Sequence, residues 1–85
     1  MSVTQVIEVE AAVAALRELI AMRRPDVDPD TIHAGTDLDE LGLDSLDVAE
    51  LVTILEERAG AFLDTSSVER IVRVEDLTQL QALPA

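Results

Sequence analysis

The sequence predicts an all-α fold: a small four-helix bundle, three main helices plus a short third helix, with a long first loop. Three observations carry this. Apolar residues recur at steps of three and four in two long stretches, the spacing that lines one face of a helix. Nearly all the large apolar volume comes from Leu, Ile and Val, with a single aromatic, Phe62, a core composition unlike that of an all-β domain. The prolines and glycines fall between or after the apolar stretches, where the chain must turn or stop.

Residues 4–22 read as the first helix. Val6, Val9, Val13, Leu16 and Ile20 form one stripe, which Ile7, Ala14 and Leu19 widen. Arg17, Arg23 and Arg24 lie toward its C-terminal end, where the helix dipole favours cations, and Pro25 stops it. Residues 25–44 form the long first loop. Val27, Ile32, Leu38, Leu41 and Leu43 give it apolar anchors, so it should be ordered and packed on the helices, with a helical turn near residues 37–41. The second helix starts at Asp44 or Ser45 and runs to about Ala59. Leu46, Val48, Leu51, Val52 and Leu55 face inward; Asp47, Glu50, Thr53, Ile54 and Glu57 point more outward. Gly60 ends it as a C-terminal cap. A connection over 61–66, a short third helix over 66–71 and a final helix over 74–83 follow. No strand alternation or repeat is visible. One domain is expected over residues 1–85, with its core at about 4–83.

The bulk numbers exclude several function classes. With 85 residues, 48% of them apolar, the chain makes one small domain and not a disordered acidic tail. The absence of cysteine removes a disulfide framework, a thiolate metal site and a thiol nucleophile. No apolar run approaches the roughly 18 residues of a membrane span, and Glu8 and Glu10 interrupt the N-terminal apolar positions that a signal peptide needs. A cytoplasmic protein without membrane insertion is expected. Eighteen acids against six arginines give a net charge of −12, a field that repels nucleic acid and steers toward basic protein surfaces.

The run Leu41-Gly42-Leu43-Asp44-Ser45-Leu46-Asp47 stands inside this field. From Asp26 to Glu57 there are eleven acids and no Lys or Arg. A serine at a helix start is ordinarily an N-cap. Asp44 can do that work one residue earlier, which leaves the Ser45 hydroxyl free in the first turn. A phosphate ester there would meet free N–H groups and the positive end of the helix dipole. A nucleophile would need a base within reach. The one histidine, His33, sits in a loop with no evident partner, and the glycines of a G-x-S-x-G elbow are missing. Asp37-x-Asp39-x-x-Gly42 imitates the start of a calcium loop but fails at Leu41 and Val48, so no metal site is expected. Charges on a helix exterior are ordinarily solvated surface. Here Asp44, Asp47, Glu50, Glu56 and Glu57 meet no counter-charge along the helix until Arg58, and this purity of sign favours a docking face.

The run from Leu41 to Leu51, with Asp44-Ser45-Leu46 at its centre, resembles the phosphopantetheine attachment region of acyl carrier proteins. The similarity continues through Leu55-Glu56-Glu57 and the run Ile71 to Leu77, and upstream through the loop from Pro25 to Leu38. The resemblance implies a non-catalytic carrier with 4'-phosphopantetheine, taken from coenzyme A, attached covalently to Ser45. It also implies acyl groups held as thioesters on that arm. Partners would be a phosphopantetheinyl transferase and acyl-loading, condensing or modifying enzymes with basic surfaces, meeting a monomer at Asp44, Leu46, Asp47, Glu50 and Glu57. An apolar cleft between the second and third helices would shelter the acyl chain, with Val52, Leu55, Leu63, Val68 and Ile71 as candidate lining residues and core packing as the ordinary role of each.

The chain departs from the family at Thr53, where a larger apolar contact is frequent, and at Arg58 and Ala59, which replace an acid and an aromatic. Phe62 is the candidate to restore that packing. These departures favour a dedicated carrier for polyketide or mixed peptide assembly over housekeeping fatty-acid synthesis. An aminoacyl or peptidyl carrier and an unmodified acidic docking module remain as alternatives.

Self-repulsion at −12 should weaken the fold at low ionic strength. The melting temperature is expected to rise when magnesium, or salt to about 0.15 M, is added to a low-salt buffer; an unchanged value in a thermal scan would oppose this.

Overall fold

The computed structural model of the chain describes residues 6–83. Helix α1 spans Val9–Arg23, and Ala and Leu, the strongest helix formers, dominate its composition. It ends where the sequence demands. Pro25 disfavours helical geometry at the residue before it, and Arg24 leaves the helix at φ −131 and ψ 75 while its N–H still bonds to Ile20. The start is later than expected: residues 6–8 are not helical, and residues 4 and 5 lie outside the described segment.

The buried face of α1 is also rotated from the expected stripe. Leu16, Leu19 and Ile20 are buried as expected, but Ala12 and Ala15 join them, while Val9 is 39% exposed and Val13 only half-buried. The reason is that α1 packs against two neighbours, α2 and the helical segment Val74–Gln79. Alanines on the inner face let these elements approach closely, and the valines are displaced to the flank. The stripe of largest residues is therefore not the centre of the contact.

Helix α2 spans Ser45–Ala59, between two glycines with positive φ. Gly42, at φ 67, closes the preceding 3-10 turn Leu38–Leu41; Gly60, at φ 69, closes α2 and donates its N–H to Glu56. Left-handed backbone of this kind is open to glycine at little cost. Leu51 and Leu55 are buried as expected, and Val48 and Val52 are half-buried. Three expectations are corrected. Leu46 is 70% exposed, Ile54 is buried, and Asp47 is buried with only 4% exposure. The inner face runs through Asp47, Leu51, Ile54 and Leu55 because α1 lies across that side.

The long first loop is ordered by specific bonds. Ile32 is fully buried, and the Arg17 guanidinium donates to its carbonyl from Nε at 3.2 Å and Nη2 at 2.8 Å. Val27, Leu38, Leu41 and Leu43 pack against the core. Backbone bonds then stitch the loop to the chain's last third: Leu38 N–H to Val72, Val74 N–H to Thr36 and Glu75 N–H to Ala34, all at 2.9–3.0 Å. A further 3-10 turn, Pro29–Thr31, is capped by Asp28.

The last third differs most from expectation. The third and fourth helical segments occur, but as 3-10 helices, Val68–Arg70 and Val74–Gln79. Leu80 then turns extended, and Gln81–Ala82 forms strand β2, antiparallel to β1 at Leu63–Asp64, with Leu63 opposite Ala82. Leu83 N–H reaches the Phe62 carbonyl at 2.8 Å. Two-residue strands are too short to leave an alternation in sequence. Phe62 itself is 74% exposed and does not restore core packing. The core is completed instead by Leu63, Val74, Leu77 and Leu80.

Truncating Leu55, which is fully buried at the centre of α2, is expected to cost about 3 kcal/mol as Leu55→Ala. Urea unfolding monitored by circular dichroism measures it.

Candidate functional site

Ser45 is the first residue of α2 and is exposed. The cap belongs to Asp44. Its Oδ1 accepts the Asp47 N–H at 2.8 Å, and Asp47 Oδ2 accepts the Asp44 N–H at 3.3 Å, a reciprocal capping box. The helix start is thus satisfied without the serine hydroxyl. Bonding to the Asp47 backbone N–H holds the Asp44 carboxyl below the ordinary aspartate range; the side-chain bond with Asp47 and the charge of Arg24 act in the same direction.

Asp47 does not stand on the outer face. Its carboxylate is enclosed beside the Arg24 guanidinium, 3.4 Å away, and Arg24 Nη2 also donates to the Gly42 carbonyl. One turn on, Arg23 reaches Glu50 at 2.5 Å, and near the other end of α2 Arg58 pairs with Glu18 at 3.0 Å. Along α2 itself the acids meet no counter-charge before Arg58, but the C-terminal end of α1 supplies two arginines across the helix interface. Sequence reasoning placed Arg23 and Arg24 only against the dipole of their own helix. Nothing in the linear order signals that they meet residues 42, 47 and 50.

The expected docking residues thus divide. Asp44, Leu46 and Glu57 are exposed, Glu50 is half-buried and paired, and Asp47 is buried. Ser45 opens onto a hollow of about 320 Å³ lined by Val48, Ala49, Val52, Thr65 and Val68. A narrower recess of about 110 Å³ continues from it, sharing Val48, Val52 and Val68 and adding Leu43, Leu51, Ile71 and Leu77 among others. Of the expected lining residues, Val52, Val68 and Ile71 are placed there. Leu55 and Leu63 are core residues and line neither space.

No histidine or carboxylate lines the hollow at Ser45. His33 lies in a turn where its Nδ1 accepts the Gly35 N–H at 3.2 Å, and it borders a different surface beside Val9 and Arg17. Asp37 Oδ1 caps the Asp39 N–H at 2.9 Å, so the calcium-like motif is used as a turn. Among the described residues no three His or acidic side chains gather to hold a metal ion, and no helix is long and apolar enough to cross a membrane.

The arrangement fits a covalently mounted group: an exposed hydroxyl, a helix start capped independently of it, and an adjoining apolar hollow. Residues 14–80 match the family model described as a phosphopantetheine attachment site, which places the chain in the class of small helical proteins bearing that prosthetic group. An acyl carrier protein of Zymomonas mobilis is 41% identical over 58 residues, covering 67% of this chain and 74% of that one. One from Campylobacter lari is 36% identical over 59 residues, covering 68% and 77%. The chain belongs to the acyl carrier protein family.

Asp44 has a lowered folded pKa, so its stabilising contribution is full above the ordinary aspartate range and is lost as pH falls through the folded value. The stability gap between wild type and Asp44→Ala is therefore expected to be widest at neutral pH and to shrink in acid. Urea midpoints across a pH series check it.

Proposed function

We propose that this chain is a single-domain acyl carrier whose phosphopantetheine arm is attached through the Ser45 oxygen. The observation that carries the reading is that Asp44, rather than Ser45, caps α2, so the hydroxyl is exposed and available for esterification. When bound, the group supplies a thiol that holds acyl intermediates as thioesters. The chain's own residues do the rest. The reciprocal Asp44–Asp47 cap holds Ser45 in the first turn, and the helix start faces the ester phosphate with its partial positive charge. The absence of a base at the serine suits a site whose activation comes from the modifying transferase.

Val52, Val68 and Ile71 are the residues that would receive the acyl chain. The recess, about 110 Å³, is somewhat smaller than the roughly 150 Å³ apolar cavity that holds a benzene. It suits a short acyl group, and a longer chain requires α2 and the segment Val68–Arg70 to separate. In this reading Val68–Arg70 and Val74–Gln79 stand as the third and fourth helices of the bundle. Asp44, Leu46, Glu50 and Glu57 form the face met by the transferase and by loading, condensing or modifying enzymes with basic surfaces. Asp47 serves the helix start. From the departures at Thr53, Arg58 and Ala59 we favour polyketide or mixed peptide assembly, with a fatty-acid-type pathway as the alternative. Weak, salt-sensitive encounters are the mode expected of such a face.

Incubation with coenzyme A and a phosphopantetheinyl transferase should add one phosphopantetheine by intact mass, and Ser45→Ala should abolish the gain. A wild type that gains no mass would make the chain an unmodified docking module. Loading of aminoacyl in preference to acyl groups would make it a peptidyl-type carrier.

A further inference from the structure

Arg24 is the terminal cap of α1 and precedes Pro25, so its backbone is fixed at the point where the first helix meets the attachment segment. Its side chain is spent on two acceptors that lie on either side of Ser45. Nη2 donates to the carbonyl of Gly42, three residues before the serine, and to Oδ2 of Asp47, two residues after it. The same Oδ2 accepts the N–H of Asp44, the residue that carries the cap. Asp47 is the one buried charged side chain among the described residues.

Each of these acceptors needs the guanidinium. Gly42 sits at φ 67, a conformation reached by the residue with the widest backbone freedom, and a bond to its carbonyl removes that freedom. A carboxylate as enclosed as Asp47 requires hydrogen-bond partners to replace the water it has lost and to fix its orientation. Were it unpaired, its hold on the Asp44 N–H would weaken, and the first turn of α2 would fray at the serine. Nη2 carries two N–H groups, so this one nitrogen can serve both acceptors at once.

We propose that Arg24 is a positioning residue for modification of Ser45, tying Gly42 and Asp47 together across the serine and holding the turn that presents its hydroxyl. The proposal rests on the reading of Ser45 as the attachment site. It is distinct from docking, because Arg24 carries the wrong sign to attract a basic partner. Its removal makes the face more negative and should not weaken the encounter.

The test is steady-state phosphopantetheinylation of wild type and Arg24→Gln with a phosphopantetheinyl transferase and coenzyme A, together with amide hydrogen exchange of the unmodified proteins. The variant should show kcat reduced about tenfold, as misplacement of a reacting group does, with KM unchanged or lower. Exchange at the Asp44 amide should quicken several-fold while amides of α1 keep their protection. A lowered KM with unchanged kcat would make Arg24 a charge effect alone. Unchanged exchange at Asp44 would remove the clamp. Should Arg24→Gln fail to fold, Asp47→Asn decides: it keeps an oxygen for the Asp44 N–H but drops the charge that Arg24 holds, and the same loss of kcat and protection is expected. A wild type that takes no phosphopantetheine would remove the Ser45 reading and this role with it, whereas modified variants with wild-type kcat and exchange remove the role alone.

Discussion

A carboxylate withdrawn from water must be given partners, and in this chain that constraint falls on Asp47. Its burial against α1 is possible because Arg24, at the end of α1, and the Asp44 N–H, at the start of α2, both reach it. The same contact joins three elements: the end of α1, the loop that ends at Gly42, and the first turn of α2, where Ser45 is exposed. An aliphatic face alone tolerates some sliding, because apolar contacts are non-directional. A buried ion with a shared hydrogen bond does not. The contribution to net stability can be small, since desolvation opposes the attraction.

Around this contact the rest of the domain is economical. α1 presents alanines at 12 and 15 and larger residues at 16, 19 and 20, so it can lie close to two neighbours at once. The long first loop is held by Ile32 inside, by Arg17 on its carbonyl and by three backbone bonds to residues 72–75, which makes it part of the structure and not a tether. The electrostatics are less one-sided than a net charge of −12 suggests. Three arginines bridge α1 and α2, and two of them face the N-terminal half of α2. The two exposed pairs, Arg23–Glu50 and Arg58–Glu18, contribute roughly 0–1 kcal/mol each. Arg23 already occupies Glu50, whereas Glu57 is in none of these three pairs.

Much of the helical fold, and the exposed serine at the start of α2, was legible in the residues. The start of α2 was readable because Asp44 offers a cap and Leu46 onward offers helical spacing; its end was readable because Gly60 tolerates the left-handed backbone. The turn before it was readable from Asp37 and Gly42. Other features were not. Burial of Asp47 contradicts its polarity and follows from Arg24, twenty-three residues away. Exposure of Leu46 contradicts its apolar character and follows from which side of α2 faces α1; Phe62, past the end of α2, is exposed as well. Leu55 and Leu63 stand in the sequence as candidate lining residues with core packing as their ordinary role, and the core claims them, while Leu43, Val48 and Leu77 line the recess with Val52, Val68 and Ile71. The strand pair joining residues 63–64 to 81–82 has no local signature at all.

The sequence by itself determined the helical class, the limits of α2, the serine at its start and the acidic character of the face around it. These depend on local rules: helical spacing, capping chemistry and the conformations that proline and glycine impose. Only the tertiary structure decided which acids remain free, which apolar residues surround the hollow beside Ser45, and what holds the serine's turn in place. Those depend on side chains brought together from opposite ends of α1 and α2. Burial and pairing over such separations are properties of the packed chain, and no local pattern of residues encodes them.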